Sequence, residues 1–170
     1  MTATVKTPLG ASTTNRKWYV DVDSDTTGTT PAYIGVFGIQ EFKDNVEPTS
    51  QDDSDFDGNG WKSETVTALL GKLEFKVGRK TLPNDPTSYD PGQEILRKAS
   101  RRTGVANRVK VRYYEMEPGG PRVEAYEGFA SVSWTPDGGG MDATSTAAVV
   151  LTFQGEPAEI THPDAAAPGE

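Results

Sequence analysis

Only one stretch of the sequence carries the signals of an α-helix, and this limits the folds that the chain can adopt. Asp90 is a good N-cap, Pro91 suits the first helical position, and Gln93 completes a capping box. Gly104 supplies a stop, so the pattern predicts a helix over about residues 91–103. Elsewhere, short alternating stretches are separated by many of the 18 glycines and 12 prolines. The sequence therefore predicts a mainly β fold, a β-sandwich or barrel, with one flanking helix and long extended loops.

The length of 170 residues suggests one domain with extensions at both ends. Residues 1–16 are rich in Thr, Ala and Gly and predict an N-terminal arm. Residues 17–155 form the predicted β domain, in which residues 40–63 are expected to be a long acidic loop. Residues 156–170 are rich in Pro, Ala and acidic residues and are expected to form a flexible tail.

Charge is distributed unevenly along the chain. Residues 1–60 carry 4 basic and 10 acidic residues, residues 61–115 carry 12 and 6, and residues 116–170 carry 1 and 9. The basic middle has two explanations: solvated faces of strands and a helix, or a surface that meets an acidic surface of another copy. The overall net charge of −8 disfavours a simple nucleic-acid binder, because an acidic chain repels phosphate.

An acidic stretch from residue 53 to residue 64 has the spacing of an EF-hand calcium loop. Asp53, Asp55 and Asp57 occupy the first three acidic positions, a glycine follows, and a glutamate ends the stretch. Pro48 and the turn-rich residues before the stretch are unsuited to the helix that should enter such a loop. The alternative is an acidic loop whose Asp and Gly residues supply turns, with Trp61 anchoring its end in the core.

Few residues are available for catalysis. His162 is the only histidine and lies in the predicted tail, so a histidine-dependent active site on the domain is not expected. There is no cysteine, which excludes disulfides and thiolate zinc sites. We expect no enzyme, no cofactor and no membrane segment. Six aromatic residues could line a carbohydrate-binding face, although core packing explains them more simply: Trp18, Trp61, Tyr113, Tyr114, Phe129 and Trp134.

The order of these features resembles a known family. A predicted arm precedes a strand with Trp18, and the run Tyr33–Phe42 follows. The acidic loop then ends in Gly60–Ser63, and a single capped helix precedes a closing meander with a Gly-rich turn at Asp137–Gly140. Over nearly its whole length the chain resembles the major tail tube proteins of long-tailed, siphovirus-type bacteriophages of actinobacterial hosts.

The resemblance implies a structural virion protein located in the phage tail and assembled in the host cytoplasm. Six copies would form a ring, and rings would stack head to tail into the conduit for DNA ejection. The implied partners are other copies of the chain, the tape measure protein, the tail terminator and the distal tail protein, with DNA only passing transiently through the lumen. The alternatives are a monomeric β-sandwich module that binds calcium or carbohydrate, or another tail component such as a tail terminator.

Within that interpretation, the charged segments are candidate contacts between copies. We expect the basic face of the predicted helix to meet the acidic loop of a neighbour. The candidate residues are Asp53, Asp55, Asp57 and Trp61 in the loop, and Arg97, Lys98, Arg101 and Arg102 on the helix.

Overall fold

The computed structural model describes residues 3–25 and 27–164, and in these ranges it confirms a mainly β fold with one flanking helix. Short 3-10 turns lie at Asn15–Lys17, Phe56–Gly58 and Gly104–Asn107. The regular elements are β1 (Trp18–Asp23), β2 (Tyr33–Gly35), β3 (Ile39–Asp52), β4 (Glu64–Gly78), β5 (Thr81–Leu82), β6 (Asp85–Tyr89), α1 (Pro91–Ala99), β7 (Arg108–Glu115), β8 (Ala125–Pro136), β9 (Thr146–Phe153) and β10 (Ala158–Glu159).

Eight of the ten strands belong to one sheet. Its order is β2-β1-β7-β8-β9-β4-β3, and β10 pairs with the start of β8. All of these pairs are antiparallel. Strand β9 lies inside the sheet between β8 and β4, and β5 and β6 form a separate small hairpin. No helix among the described residues is both long and apolar enough to cross a membrane.

The sheet curls until its two ends meet on one side. Trp18 of β1 stacks on Phe42 of β3 with ring centroids 5.1 Å apart, although four strands lie between β1 and β3 in the sheet order. The Tyr113 hydroxyl of β7 also donates to Asp44 Oδ2 of β3 at 3.2 Å. Burial of the alternate residues of each strand makes this concave face the core. Its buried members include Val20, Val22, Leu73, Phe75, Val77, Val111, Val132, Val149, Leu151 and Phe153.

Helix α1 covers one end of the concave face. Leu96 and Ala99 are buried in the core, and the helix contacts β1, β2, β7 and β8. At its start Gly92 lies against the backbone of Gly35, where a Cβ atom would be 2.4 Å from the carbonyl oxygen. A glycine is therefore required for this approach of helix to strand.

The first turn of α1 also binds the root of the β3–β4 hairpin. The Asp90 carboxylate caps the helix by accepting from the Gln93 backbone N–H at 2.9 Å, as the sequence predicts. The buried Gln93 side chain donates to the carbonyl of Phe37 at 2.6 Å and to that of Gly78 at 3.1 Å. One side chain thus holds the residues just before β3 and the end of β4.

The helix is shorter than the sequence predicts, ending at Ala99 rather than near residue 103. Beyond Ala99 the hydrogen bonds tighten to a three-residue spacing, from Arg101 N–H to Lys98 O and from Arg102 N–H to Ala99 O. The Asn107 amide also donates to Ala99 O at 3.0 Å. These bonds satisfy the last helical carbonyls without a further α-helical turn.

The prediction of a loop over residues 40–63 is wrong for most of that segment. Strand β3 runs through residue 52 and pairs with β4 as far as Glu64, which leaves only residues 53–63 as a connection. Because β3 is an edge strand, Pro48 removes no hydrogen bond that a further strand would need. The long segment is therefore the first half of a β-hairpin.

Part of the expected flexible tail packs on the sheet. Strand β10 pairs with β8, and the Ile160 N–H donates to the carbonyl of Ala125 at 2.9 Å. His162 is buried, with Nε2 2.7 Å from the carbonyl of Glu115 and Nδ1 accepting from the Asp164 N–H. The remainder of the tail, residues 165–170, and residues 1–2 of the predicted arm lie outside the described residues.

Glu115, at the end of β7, is a buried carboxylate with a complete set of donors. It accepts from Lys17 Nζ at 2.9 Å and from the backbone N–H groups of Val123 and Glu124 at 2.8 and 3.1 Å. Burial opposes ionisation, but these donors outweigh it and lower the pKa of Glu115 to about 2. The ionised group holds the residue before β1 and the β7–β8 connection together.

Replacing Gly92 by alanine tests the docking of α1. Alanine favours a solvated helix, so propensity alone would stabilise the variant. The clash with the carbonyl of Gly35 reverses this, and we expect the free energy of unfolding to fall by about 1–3 kcal/mol. Urea denaturation followed by circular dichroism measures the change. Gly138→Ala is the control, because nothing lies within 4 Å of its added Cβ; an equally stable Gly92→Ala would contradict the close approach.

The pKa of Glu115 predicts a loss of stability in acid. The folded-state value of about 2 lies below the ordinary 4.5, so the stabilisation is complete above about pH 4.5 and is lost as the pH falls towards 2. We expect Glu115→Gln to lower the free energy of unfolding at pH 7 by about 2–3 kcal/mol and to weaken its pH dependence between 5 and 2. The exposed Glu64→Gln is the control; parallel pH curves for wild type and Glu115→Gln would refute the assignment.

Candidate assembly surfaces

The outer half of the β3–β4 hairpin projects from the sheet. Strand β4 pairs with β9 only from Lys72 to Gly78, so residues 64–71 pair with β3 alone. At about 3.3 Å per residue this half extends roughly 25 Å beyond the sheet. Its two strands lack a third strand beside them in the described chain, and both of their faces are available for contact.

The turn that closes the hairpin is held by its own side chains. The Asp52 carboxylate accepts from the Ser54 N–H, and Asp55 accepts from the Asp57 N–H at 3.1 Å. Thr65 Oγ1 donates to the Asp53 carboxylate, and this bond lowers the pKa of Asp53. Asn59 and Gly60 adopt positive φ angles of 51° and 81°, as a tight reversal requires. The predicted turn function of this acidic stretch therefore has a structural basis.

The tip of the hairpin is acidic and carries two exposed aromatic residues. Residues 52–64 contain five acidic residues and one basic residue. Trp61 is 83% exposed and Phe56 is fully exposed. The interpretation of Trp61 as an anchor in the core is therefore wrong, because the tip lies too far from the core for its side chain to reach. Phe56 is not among the predicted contacts, and its signal in the sequence is that of a large apolar residue between two aspartates.

The four basic residues predicted on the helix differ in their surroundings. Arg97 is held by Glu94 at 2.6 Å, and Glu94 also binds Arg79. The two arginines lower the pKa of Glu94 to about 2, with the Arg97 hydrogen bond as the main cause. Lys98, Arg101 and Arg102 are exposed and form no ion pair with any residue in 3–25 or 27–164. Together these last three residues form the basic end of the molecule.

The acidic tip and the basic end lie far apart in the fold. Strand β4 begins at the tip, and its last residue, Gly78, accepts the hydrogen bond from Gln93 in the first turn of α1. Fifteen residues in extended conformation separate the tip from the start of α1 by about 50 Å. The basic end follows Ala99, whose carbonyl is joined through the Asn107 amide to that of Val132 in β8. Val132 is level with Leu73, nine residues along β4 from the tip, so roughly 30 Å separates the basic end from the tip. The structure therefore keeps the predicted acidic and basic contacts apart within one chain and does not bring them together.

The convex face of the sheet neutralises most of its own cations. Five of its basic residues each pair with an acidic residue on a neighbouring strand or turn, at N–O distances from 2.8 to 3.5 Å. These pairs leave little unpaired positive charge on the convex face, whereas the three residues of the basic end form no ion pair within the described chain. The pairs are Lys43–Glu74, Lys72–Glu47, Lys76–Asp137, Lys110–Glu127 and Arg112–Asp21.

The aromatic residues predicted as a possible carbohydrate platform do not form one surface. Tyr113 and Tyr114 are buried, whereas Phe129 is exposed. Trp18 packs on the core beside Phe42, and Trp134 packs at the core near Arg79. In the described part of the chain, no three His, Asp or Glu side chains converge in a way that could hold a metal ion.

A groove of about 670 Å³ lies at the foot of the projecting hairpin. Its floor is apolar and includes Val46, Leu69, Tyr126 and Pro157. Asp44 lines the same groove, where partial burial raises the pKa of its carboxyl group. The groove leaves no signal in the sequence, because its walls come from five separate segments of the chain.

Chains in three solved structures of particles or their parts share this fold. A chain from the tail of an empty gene transfer agent (GTA) particle, with C6 symmetry, has a TM-score of 0.58 at 10% identity. A chain from the virion of a native GTA particle gives 0.58 at 8% identity; each match covers 88% of this chain and 99% of the other. A chain from the six-fold symmetrised baseplate of the anti-feeding prophage (AFP) gives 0.57 at 12%, covering 94% and 99%. No protein-family description and no curated protein matches the sequence.

Replacing Trp61 separates an assembly role from a folding role. Because its side chain is 83% exposed, we expect Trp61→Ala to change the free energy of unfolding by less than about 0.5 kcal/mol. Trp18→Ala is the matched comparison, since it removes the stack on Phe42 and should cost about 2–4 kcal/mol. Urea denaturation followed by circular dichroism measures both; a large loss for Trp61→Ala would show that Trp61 supports the fold.

Proposed function

We propose that this chain is the subunit of a tail tube, in which six copies close into a ring and rings stack head to tail. The observation that carries the proposal is the separation of the acidic tip from the basic end along the molecule. The shared fold with a chain from a C6-symmetric tail supports a ring of six. The tube would be part of a virion tail and have a structural role without catalysis.

Head-to-tail stacking follows from the chemistry of the two ends. Contact between two different surfaces of identical subunits repeats without limit when the rotation does not close. The acidic tip of one copy and the basic end of the next have opposite charge and are each exposed. Like ends repel, which orients the subunits in a single direction.

The tip combines weak charge pairing with apolar anchors. An exposed ion pair contributes only about 0–1 kcal/mol, so the carboxylates provide orientation more than affinity. Phe56 and Trp61 supply the large apolar area that interface hot spots use. At the other end Val105, close to the basic residues in sequence, is exposed and offers an apolar contact. Six copies per ring multiply each small contribution.

The charge distribution also suits a conduit for DNA. A net charge of −8 repels phosphate, and five of the convex-face cations are already paired within the chain. DNA would therefore pass through the tube without being held. A long-tailed phage, an actinobacterial host, and contacts with a tape measure protein, tail terminator and distal tail protein stay predictions from the resemblance.

A second candidate is a ring at the end of a tube, because one structure with the same fold belongs to a baseplate. Such a protein would form single rings and would not polymerise. Electron microscopy of the purified protein separates the two functions. Extended tubes support the tube subunit, isolated rings support the end component, and a monomer at high concentration contradicts both.

Charge reversal tests the head-to-tail contact. We expect Arg101→Glu/Arg102→Glu to reduce tube formation at least about tenfold, because like charges would face each other across the contact. Lys43→Glu is a control for charge reversal away from both ends, since this exposed residue lies on the convex face in an ion pair with Glu74. Tubes are counted by electron microscopy and by sedimentation.

A charge swap makes the test specific. Asp55→Lys/Asp57→Lys in the same chain as the two arginine reversals should restore tubes, and failure of this rescue would contradict the pairing of tip with basic end. Asp53→Asn, Asp55→Asn and Asp57→Asn should together weaken stacking, whereas a calcium chelator should leave wild-type tubes intact. Loss of tubes on chelation would instead assign the acidic stretch to calcium.

A further inference from the structure

The groove at the foot of the hairpin is apolar inside and acidic at its rim. Val46, Leu69 and Pro157 contribute apolar surface, and Asp44 and Glu156 lie among the same walls. Glu124 and Glu159 are close enough to add to the raised pKa of Tyr126, after burial as its main cause. None of the residues that line the groove is basic. Its chemistry therefore suits an extended apolar segment that carries a positive charge.

The apolar surface of the groove continues along the hairpin. Val46 and Leu69 are on the concave side of the β3–β4 hairpin, two residue pairs from each other in the register, and both are more than half exposed. Val66 is also more than half exposed and lies in the same groove. A segment of a neighbouring molecule that enters the groove could thus continue along the hairpin and remain in contact with it outside the groove.

The described part of the N-terminal arm has the complementary composition. Val5 and Leu9 are 85% and 96% exposed, and Lys6 lies between them. The first 20 residues contain no acidic residue. Pro8 lacks an N–H donor and is suited to docking through side chains rather than to forming the middle strand of a sheet. Residues 3–14 can span about 40 Å when extended, which is ample to reach an adjacent molecule.

We propose that the groove binds the arm of a second copy of this chain, with Val5 and Leu9 on its floor and Lys6 beside its acidic rim. The inference rests on the self-assembly in the proposed function and names a contact within it. The root of the arm is held at Thr14, whose hydroxyl donates to Glu117, and Val5 and Leu9 stay exposed in the single chain. In a symmetric assembly each subunit gives one arm and receives one, so every groove is filled.

Cysteine cross-linking tests this exchange, because the natural chain has no cysteine. Leu9→Cys and Leu69→Cys are made in separate chains, which are mixed under assembly conditions and oxidised. Both sites are exposed, so neither variant should impair folding. We expect a disulfide-linked heterodimer on a non-reducing gel. The control pairs Leu9→Cys with Lys43→Cys, on the opposite face of the hairpin, and should give on the order of tenfold less product.

The result can overturn the inference in two ways. No preference for Leu69→Cys over Lys43→Cys in the mixture would show that the arm does not enter a partner's groove. A chain that carries both cysteines and forms only an internal disulfide would show that the arm binds its own groove. Tubes without the cross-link would refute the arm contact alone, whereas cross-linked dimers without rings or tubes would refute the tube and leave the arm contact standing.

Discussion

The docking of the helix N-terminus on the root of the hairpin is the constraint from which the rest of the arrangement follows. Gln93 bridges the carbonyls of Phe37 and Gly78, and Gly92 brings the helix backbone against Gly35. A buried amide that satisfies two buried carbonyls at once is difficult to replace, since any substitution leaves acceptors without donors. These contacts determine the direction in which β3 departs and β4 arrives. Because the hairpin is long, a small change in its orientation at the base gives a larger displacement at the tip.

The same arrangement explains why charge is segregated in space and not only in sequence. Basic residues on the convex face find acidic partners on adjacent strands, where cross-strand neighbours are close enough to pair. Those at the end of α1 are exposed and find none among the described residues. The acidic residues of the tip are similarly beyond the reach of the sheet's cations. Long separation along β4 thus preserves two surfaces of opposite sign, and a fold without the projecting hairpin would have let them neutralise each other.

Features that depend on neighbouring residues could be predicted from the sequence, whereas features that depend on contacts between distant residues could not. The cap at Asp90 depends on backbone groups three residues away, so its prediction was confirmed. The outer half of β3 has solvent on both faces, shows no apolar alternation and contains Pro48, so its sequence has the pattern of a loop. Burial of His162 depends on a carbonyl 47 residues earlier, which leaves no mark in the neighbouring sequence. The general expectation that a tryptophan packs in the core failed for Trp61, whose neighbours on the tip are acidic and exposed.

The placement of acidic residues beside the exposed aromatic residues links specificity to affinity. Phe56 lies between Asp55 and Asp57, so no surface can bury this ring without also approaching two carboxylates. An apolar or acidic surface would have to desolvate those charges without compensation, which costs more than the ring gains. A surface with cations around an apolar centre can bury the ring and pair the charges together. The carboxylates therefore act against indiscriminate association of the exposed hairpin, and in the proposed stacking they would favour a partner with the chemistry found at the basic end of this same molecule.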